Sequence, residues 1–224
     1  MNELIELEEN YRAIIGQPSI NYEKFKERFL LAKSITTVTF SEELKSQIKK
    51  QCYSRLIKLC ELWYAFEKFL SVLTDQQFIV GDTLSKPSMI TDELETRFEL
   101  HELVKNCNDE ILLSFNTEQK KTKLKSFINH LHSKGDDKQK KLLNAAENKI
   151  DNLVHNGFKI QEILSMVYAI RNLHVHDGDT FIDAMKSFEL TKDYLYILAS
   201  FLESVTETSW KKSLELNIAK IENE

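Results

Sequence analysis

Residues 42–73 hold the feature that most limits the fold, an apolar seam whose members alternate four and three residues apart. The seam consists of Cys52, Leu56, Leu59, Trp63, Phe66, Leu70 and Leu73. This spacing is the period of an α-helix that packs along its length against another helix. Ser41 precedes the segment as an N-cap, and Glu42 and Glu43 add negative charge, which favours a helix N-terminus. The seam therefore predicts a long helix within a helical bundle.

Most of the remaining chain shows the same helical period and little turn material. Only five glycines and two prolines occur among 224 residues, which favours long helices over many short strands. Further helices are predicted over residues 1–15, 21–33, 91–115, 117–133, 136–156, 158–175 and 184–205, with a more weakly amphipathic tail over 206–224. Residues 35–39 are predicted to be extended or a loop, and residues 74–92 are predicted to form the main loop. The predicted fold class is all-α.

Length and composition bound the domain organisation and the cell compartment. With 42% apolar residues the chain can form a core, and we expect an N-terminal helical arm, residues 1–40, packed on a main helical domain, residues 41–224. A net charge of −5 argues against a broad nucleic-acid-coating surface but leaves room for a small basic site. The acidic N-terminus is unlike a signal peptide, and no apolar run approaches the ~20 residues that span a bilayer. We therefore expect a cytoplasmic protein that does not bind a membrane.

Cysteine and lysine bear on metal binding and on nucleic-acid binding. The three cysteines, Cys52, Cys60 and Cys107, are odd in number and lack metal-type spacing, so we predict core residues rather than a disulfide framework or a zinc site. The most basic part of the chain is a set of lysines: Lys120, Lys121, Lys123, Lys125, Lys134, Lys138, Lys140 and Lys141. These lysines form either a solvated helix face or a surface that contacts a phosphate backbone.

Residues 166–179 begin as an apolar helix and turn abruptly polar at Arg171. Arg171 continues the apolar stripe of the preceding turns to within roughly 20° of its centre, and His174 lies on the same stripe. His176 would point about 140° away from Arg171 on an ideal α-helix. The two side chains converge only if the helix ends or bends near Val175, or if a second subunit completes the site. A glycine three residues after Val175 favours such an ending, because glycine is the usual helix terminator.

Three chemical interpretations of this segment compete. His174 and His176, with one of the aspartates that follow, could bind a metal ion, although such a pair usually comes from an extended strand. The same residues could instead close a helix, with imidazoles against free carbonyls and Arg171 paired to an acid. The third interpretation is metal-free phosphoryl chemistry on RNA, in which an imidazole moves the 2′-hydroxyl proton and a guanidinium neutralises phosphate charge. The residue types alone leave all three open.

The segment Arg171-Asn172-x-x-x-His176 resembles the Arg-polar-x(3–5)-His signature of the HEPN (higher eukaryotes and prokaryotes nucleotide-binding) superfamily. The resemblance covers about six residues in motif and residues 42–205 in architecture. It implies a bundle of long antiparallel α-helices and a metal-independent endoribonuclease without a cofactor, as found in toxin–antitoxin, abortive-infection and CRISPR systems. It also implies an RNA substrate, a homodimer that brings two motifs together, and an antitoxin or other defence-system protein as a partner.

The resemblance assigns roles to individual residues of this segment. Arg171 would bind or stabilise the scissile phosphate, His176 would be the general acid/base, and Asn172 would orient the motif or the substrate. His174 is the alternative acid/base if the helix stays regular, and Glu67, beside the seam, is the candidate acid that partners the arginine. The competing interpretation is a non-catalytic helical module that binds a nucleotide, an RNA or a protein.

Overall fold

A computed structural model describes residues 2–41, 46–73, 92–132, 137–177 and 184–223. The elements are α1 (Asn2–Ile15), α2 (Ile20–Ser34), α3 (Gln47–Leu73), α4 (Asp92–Arg97), α5 (His101–Ser114), α6 (Glu118–His132), α7 (Asp137–Lys149), a 3₁₀ turn (Ile150–Asn152), α8 (Ile160–Asn172), a π-helical turn (Leu173–Asp177) and α9 (Phe188–Glu222). No strand occurs in the described ranges, so the all-α prediction is confirmed for them. Residues 35–39 are non-helical, as predicted. Residues 42–45 and most of the predicted loop, 74–91, lie outside the described residues.

The helix predicted over residues 91–115 is two helices, α4 and α5, with a three-residue break between them. Phe98 and Leu100 in this break are both buried. Residues two apart on a straight helix point about 160° apart, so a helix that is buried on one face only, as α5 is, would expose one of the two. The chain bends at Glu99, whose φ of 57° is in the left-handed region and whose carboxylate pairs with Lys212 Nζ at 3.0 Å. Burial of both apolar side chains explains why the predicted helix is interrupted.

α9 continues as one helix through residues where the sequence predicts only a weakly amphipathic tail. The buried positions of its second half include Ser209, Trp210, Ser213, Leu214 and Asn217. Ser213 Oγ donates to the Trp210 carbonyl at 2.7 Å, and Asn217 Nδ2 donates to the Ser213 carbonyl at 2.6 Å. Polar side chains that bond to their own helix can be buried without leaving those groups unsatisfied. Because they replace apolar residues on the buried face, they weaken the apolar period from which a helix is predicted.

The two N-terminal helices share the core of the bundle, with α1 packed on α9 and α2 packed on α3. Tyr22, Phe25 and Phe29 of α2 surround the buried ring of Trp210, at centroid distances of 5.1–6.1 Å. Trp210 Nε1 donates a hydrogen bond to Tyr22 Oη at 3.0 Å, which satisfies its polar group. This aromatic cluster joins residues 1–40 to the last helix of the chain.

α8, which carries the polar motif, is fixed at its N-terminus by α5 and α7. Asn108 of α5 accepts a hydrogen bond from the Phe158 N–H at 2.7 Å and donates one to the Phe158 carbonyl at 2.9 Å. Glu162, in the first turn of α8, accepts from the Lys159 N–H and from Lys149 Nζ, each at 2.8 Å. The Glu162 and Lys149 side chains are almost fully buried. These contacts fix where α8 begins, and therefore where the motif at its other end lies.

Gly157 lies in the connection that precedes α8, directly against the side chain of Asn108. A Cβ added there would lie 2.9 Å from Asn108 Cγ, which real Cβ atoms essentially never show. We expect Gly157→Ala to lower the free energy of unfolding by about 1–3 kcal/mol, because Asn108 or the Phe158 backbone would have to move. Urea unfolding followed by far-UV circular dichroism measures the change, with Asn156→Ala at the exposed neighbour as the control. Equal free energies for wild type and Gly157→Ala would contradict the close contact.

Candidate functional site

α8 continues directly into the π-helical turn Leu173–Asp177, which includes Val175, where Arg171 and His176 of one chain could converge only if the helix ended or bent. At the transition the Leu173 N–H is shared between the carbonyls three and four residues before it. A π turn bonds residue i to residue i+5, so about five residues complete the rotation that about four complete in an α-helix. The backbone positions of Arg171 and His176 are therefore closer in angle than the roughly 140° of an ideal α-helix. Single π turns within helices occur frequently at functional sites.

The Arg171 guanidinium lies over the ring of Tyr64 on α3, with Cζ 4.7 Å from the ring centroid. Its Nη1 donates a hydrogen bond to the side-chain oxygen of Asn172 at 2.8 Å. The arginine side chain is half-buried, at the position where the apolar stripe of α8 was predicted to continue. A guanidinium is weakly hydrated and is attracted to an aromatic face, so Tyr64 lets a cation occupy this stripe. The structure thus brings Arg171 and Asn172 together.

The sequence did not identify Tyr64 as a residue of the site. α3 and α8 meet through two consecutive aromatic contacts, Trp63 with Tyr168 at a centroid distance of 5.4 Å and Tyr64 with Arg171. The signal in the sequence is the pair Trp63-Tyr64, in which the first ring lies on the apolar seam and the second lies beside it. Spacing along α3 shows that Tyr64 is half-exposed, but it does not show which helix the ring meets.

Glu67, the candidate acid, lies one turn beyond Tyr64 on α3 and is half-buried. The ion pairs between described residues do not join Glu67 to Arg171. A different acid of α3, Glu61, has its carboxylate near this site. It accepts a hydrogen bond at 2.8 Å from Nη2 of Arg28, whose guanidinium also lies over the Tyr64 ring. A role for Glu67 in the site stays a prediction.

The structure describes the side chain of one candidate acid/base, His174, but not that of the other, His176. His174 is half-buried within the π turn, and this burial lowers the pKa of its imidazole. A lowered pKa keeps the ring neutral at pH 7, which suits a general base. The His176 backbone belongs to the same turn, but the side chains of His176 and of the two aspartates that follow it, Asp177 and Asp179, lie outside what the structure describes. The preference for His176 over His174 therefore stays a prediction.

Burial of His174 links stability to pH with a definite sign. Its folded-state pKa is below the unfolded value, so the unfolded chain binds the proton more readily. The part of the folding stability that depends on neutral His174 is fully present above about pH 6.5, and it is lost as the pH falls through the lowered pKa. We expect the stability advantage of wild type over His174→Gln to be larger at pH 8 than at pH 5.5 in urea unfolding, with His155→Gln at an exposed position as the control. An advantage that grows on acidification would contradict the direction of the shift.

The cysteines are buried core residues, as predicted. Cys52, Cys60 and Cys107 are all free thiols. Burial raises the pKa of Cys52 to about 11 and that of Cys60 to about 12, so both thiols are protonated at neutral pH. Among the described residues, no group of three or more His, Cys, Asp or Glu side chains could hold a metal ion.

The lysine-rich part of the chain is partly neutralised in the structure. Lys121 Nζ pairs with Glu118 at 2.9 Å, and Lys125 Nζ pairs with Asp151 at 2.5 Å. These two pairs favour the interpretation of a solvated helix face. Lys134 lies outside the described residues.

Comparison with known proteins adds nothing to the resemblance between the Arg171–His176 motif and the HEPN signature. No protein-family model matches the chain, and no match was found among curated proteins or solved structures. Within the described residues, no helix is both long enough and apolar enough to cross a membrane. Any assignment of function must therefore be argued from the residues at the end of α8.

Proposed function

We propose that this protein is a metal-independent endoribonuclease of HEPN type, which cleaves RNA through attack of a 2′-hydroxyl on the adjacent phosphate. The observation that carries the proposal is Arg171, held over Tyr64 at the end of α8, with a π turn leading to His176. The described residues contain helices and no strand, and one long helix follows the motif, which agrees with the architecture that the resemblance implies. Catalysis would account for the polar residues at the end of the otherwise apolar helix α8.

The proposed reaction needs one proton-transfer group and one fixed cation. The imidazole of His176 removes the 2′-hydroxyl proton as the 2′-oxygen attacks phosphorus, and the imidazolium so formed gives its proton to the 5′-oxygen as the bond from that oxygen to phosphorus breaks. Arg171 stabilises the charge that accumulates on the phosphate oxygens, and Asn172 holds the guanidinium in position through the bond at 2.8 Å. The products are a 2′,3′-cyclic phosphate and a 5′-hydroxyl, so water is not a reactant in this step.

A homodimer completes this proposal. Two motifs brought together across a two-fold axis would place the arginine of one copy near the imidazole of the other, which adds to the effect of the π turn. The proposed setting is cytoplasmic, in stress response or phage defence, with an antitoxin or another defence-system protein as the partner that restrains the activity. Size-exclusion chromatography with light scattering tests the dimer directly.

The test of the proposed function is RNA cleavage in excess EDTA. We expect the wild-type protein to cleave a mixture of single-stranded and structured RNAs, and the double variant Arg171→Ala/His176→Ala to leave it intact. His155→Ala, an exposed histidine in the turn before α8, is the matched control and should cleave like wild type. Equal cleavage by wild type and the double variant, or no cleavage by a folded dimer, would contradict the proposal. RNA binding without cleavage would support the non-catalytic module instead.

A further inference from the structure

The Tyr64 ring carries a second guanidinium besides that of Arg171. Arg28, which α2 contributes from the N-terminal arm, also has its Cζ 4.7 Å from the Tyr64 centroid. The two Cζ atoms are therefore no more than 9.4 Å apart. Cations this close together can contact neighbouring phosphates of one nucleic-acid strand. The ring thus joins the motif to an arginine from a distant part of the sequence.

Arg28 is held in place while part of its guanidinium stays exposed. Its Nη2 donates to Glu61 Oε2 at 2.8 Å, and among the described residues its buried Nε has no hydrogen-bond partner. The side chain nevertheless keeps 41% of its surface exposed. A guanidinium has five N–H donors, so one bond to Glu61 leaves donors that can bind a phosphate oxygen.

A groove of about 690 Å³ runs between α2 and α3 beside Arg28. Its basic side chains are Lys24, Arg28 and Lys68, its acidic side chains are Glu27 and Glu61, and aliphatic side chains form the rest. Arg28, which lines this groove, also contacts the Tyr64 ring, so the groove reaches the same ring that Arg171 contacts. Basic groups above aliphatic walls suit the phosphates and sugars of a single strand.

We infer that Arg28 is a second RNA-binding arginine, and that the groove between α2 and α3 holds the RNA strand next to the scissile phosphate. The inference rests on the proposed RNA substrate. Arg28 contacts a phosphate that does not react, so it binds ground state and transition state equally and acts on affinity rather than on the chemical step. The N-terminal arm is then part of the substrate site.

The test measures cleavage and binding separately, on the full chain and with a mixed-sequence single-stranded RNA. We expect Arg28→Ala to raise KM by about tenfold in EDTA and to change kcat by less than about twofold. Arg28→Ala should also weaken binding of the same RNA with every 2′-hydroxyl methylated, by the same factor by which it raises KM. In this variant the slope of log K against log salt should become shallower by about 0.7 for each phosphate contact removed. Lys24→Gln/Lys68→Gln, which leaves the Arg28–Tyr64 contact intact, should also reduce the slope.

Arg55 provides the matched control on α3. Its Cζ lies 4.8 Å from the Tyr196 centroid and its Nη1 lies 3.8 Å from Asp193 Oδ1, but it does not line the groove. Arg55→Ala should therefore keep the wild-type KM and salt slope. Wild-type KM and salt slope in both Arg28→Ala and the double lysine variant would overturn the inference, even if Arg28→Ala lowered the melting temperature.

The outcomes also separate this inference from the proposed activity. If wild type binds the methylated RNA through Arg28 but cleaves no RNA, the ribonuclease proposal fails and the binding groove stands. If wild type cleaves RNA and the groove variants match it in KM and salt slope, the ribonuclease proposal stands and the groove is excluded. Absence of RNA binding by wild type overturns the groove as well.

Discussion

Replacing Arg171 with alanine is expected to reduce RNA cleavage by about 10²- to 10³-fold, the loss seen when a fixed donor to transition-state charge is removed. The guanidinium is positioned before substrate arrives, by the Tyr64 ring at 4.7 Å and by Asn172 at 2.8 Å. It therefore needs little reorganisation when charge develops on the phosphate. Because the side chain is half-buried at the end of α8, its loss should leave the core intact.

Single-turnover cleavage in EDTA measures this effect, with circular dichroism to show that each variant is folded. Arg171→Lys should fall between wild type and Arg171→Ala, because lysine keeps the charge but loses the planar, two-pronged geometry. Arg55→Ala, which removes a similar arginine–tyrosine contact elsewhere on α3, should leave the rate unchanged. A wild-type rate from Arg171→Ala would remove the arginine from the mechanism.

Trp210→Ala is expected to lower the free energy of unfolding by about 3–5 kcal/mol, as large-to-small changes in a packed core do. The ring is 2% exposed and is surrounded by Tyr22, Phe25 and Phe29 of α2. Its loss would leave a cavity and would also remove the hydrogen-bond donor to Tyr22 Oη. The change acts on the contact between the N-terminal arm and α9, so it tests whether the arm belongs to the cooperative core.

Urea unfolding monitored by circular dichroism gives the free energy for Trp210→Ala. Trp210→Phe retains most of the packing and should be milder. Leu113→Ala, at a position 72% exposed, should change the free energy by less than about 0.5 kcal/mol and serves as the control. A change below about 1 kcal/mol for Trp210→Ala would show that the aromatic cluster contributes little to the fold.

Helices were predictable where apolar residues alone form the buried face. The seam from Cys52 to Leu73 is buried at every position, and it lies within α3 as predicted. Prediction failed at the break after Arg97, because a pattern within one segment does not register that Phe98 and Leu100 must both reach the same core. It also underestimated α9, whose buried face includes Ser213 and Asn217, polar residues that bond to their own helix.

At the site, local spacing identified the anomaly but not its surroundings. The position of Arg171 on the apolar stripe is a property of α8 alone, so it could be seen in the sequence. The contacts of Tyr64 with Arg171 and Arg28 join three helices, and no periodicity within one helix reports them. The π turn is likewise hidden, since the sequence offered a bend near Val175 as one alternative but did not show its form.

The most direct test of the proposed mechanism is the chemistry of the RNA ends. Wild-type protein in excess EDTA is incubated with an RNA that it cleaves at one bond, and with the same RNA carrying a single 2′-deoxy nucleotide at that bond. The proposed mechanism predicts a 2′,3′-cyclic phosphate and a 5′-hydroxyl from the first RNA and no cleavage at that bond in the second. A 3′-hydroxyl with a 5′-phosphate, or equal cleavage of the deoxy-substituted RNA, would contradict it.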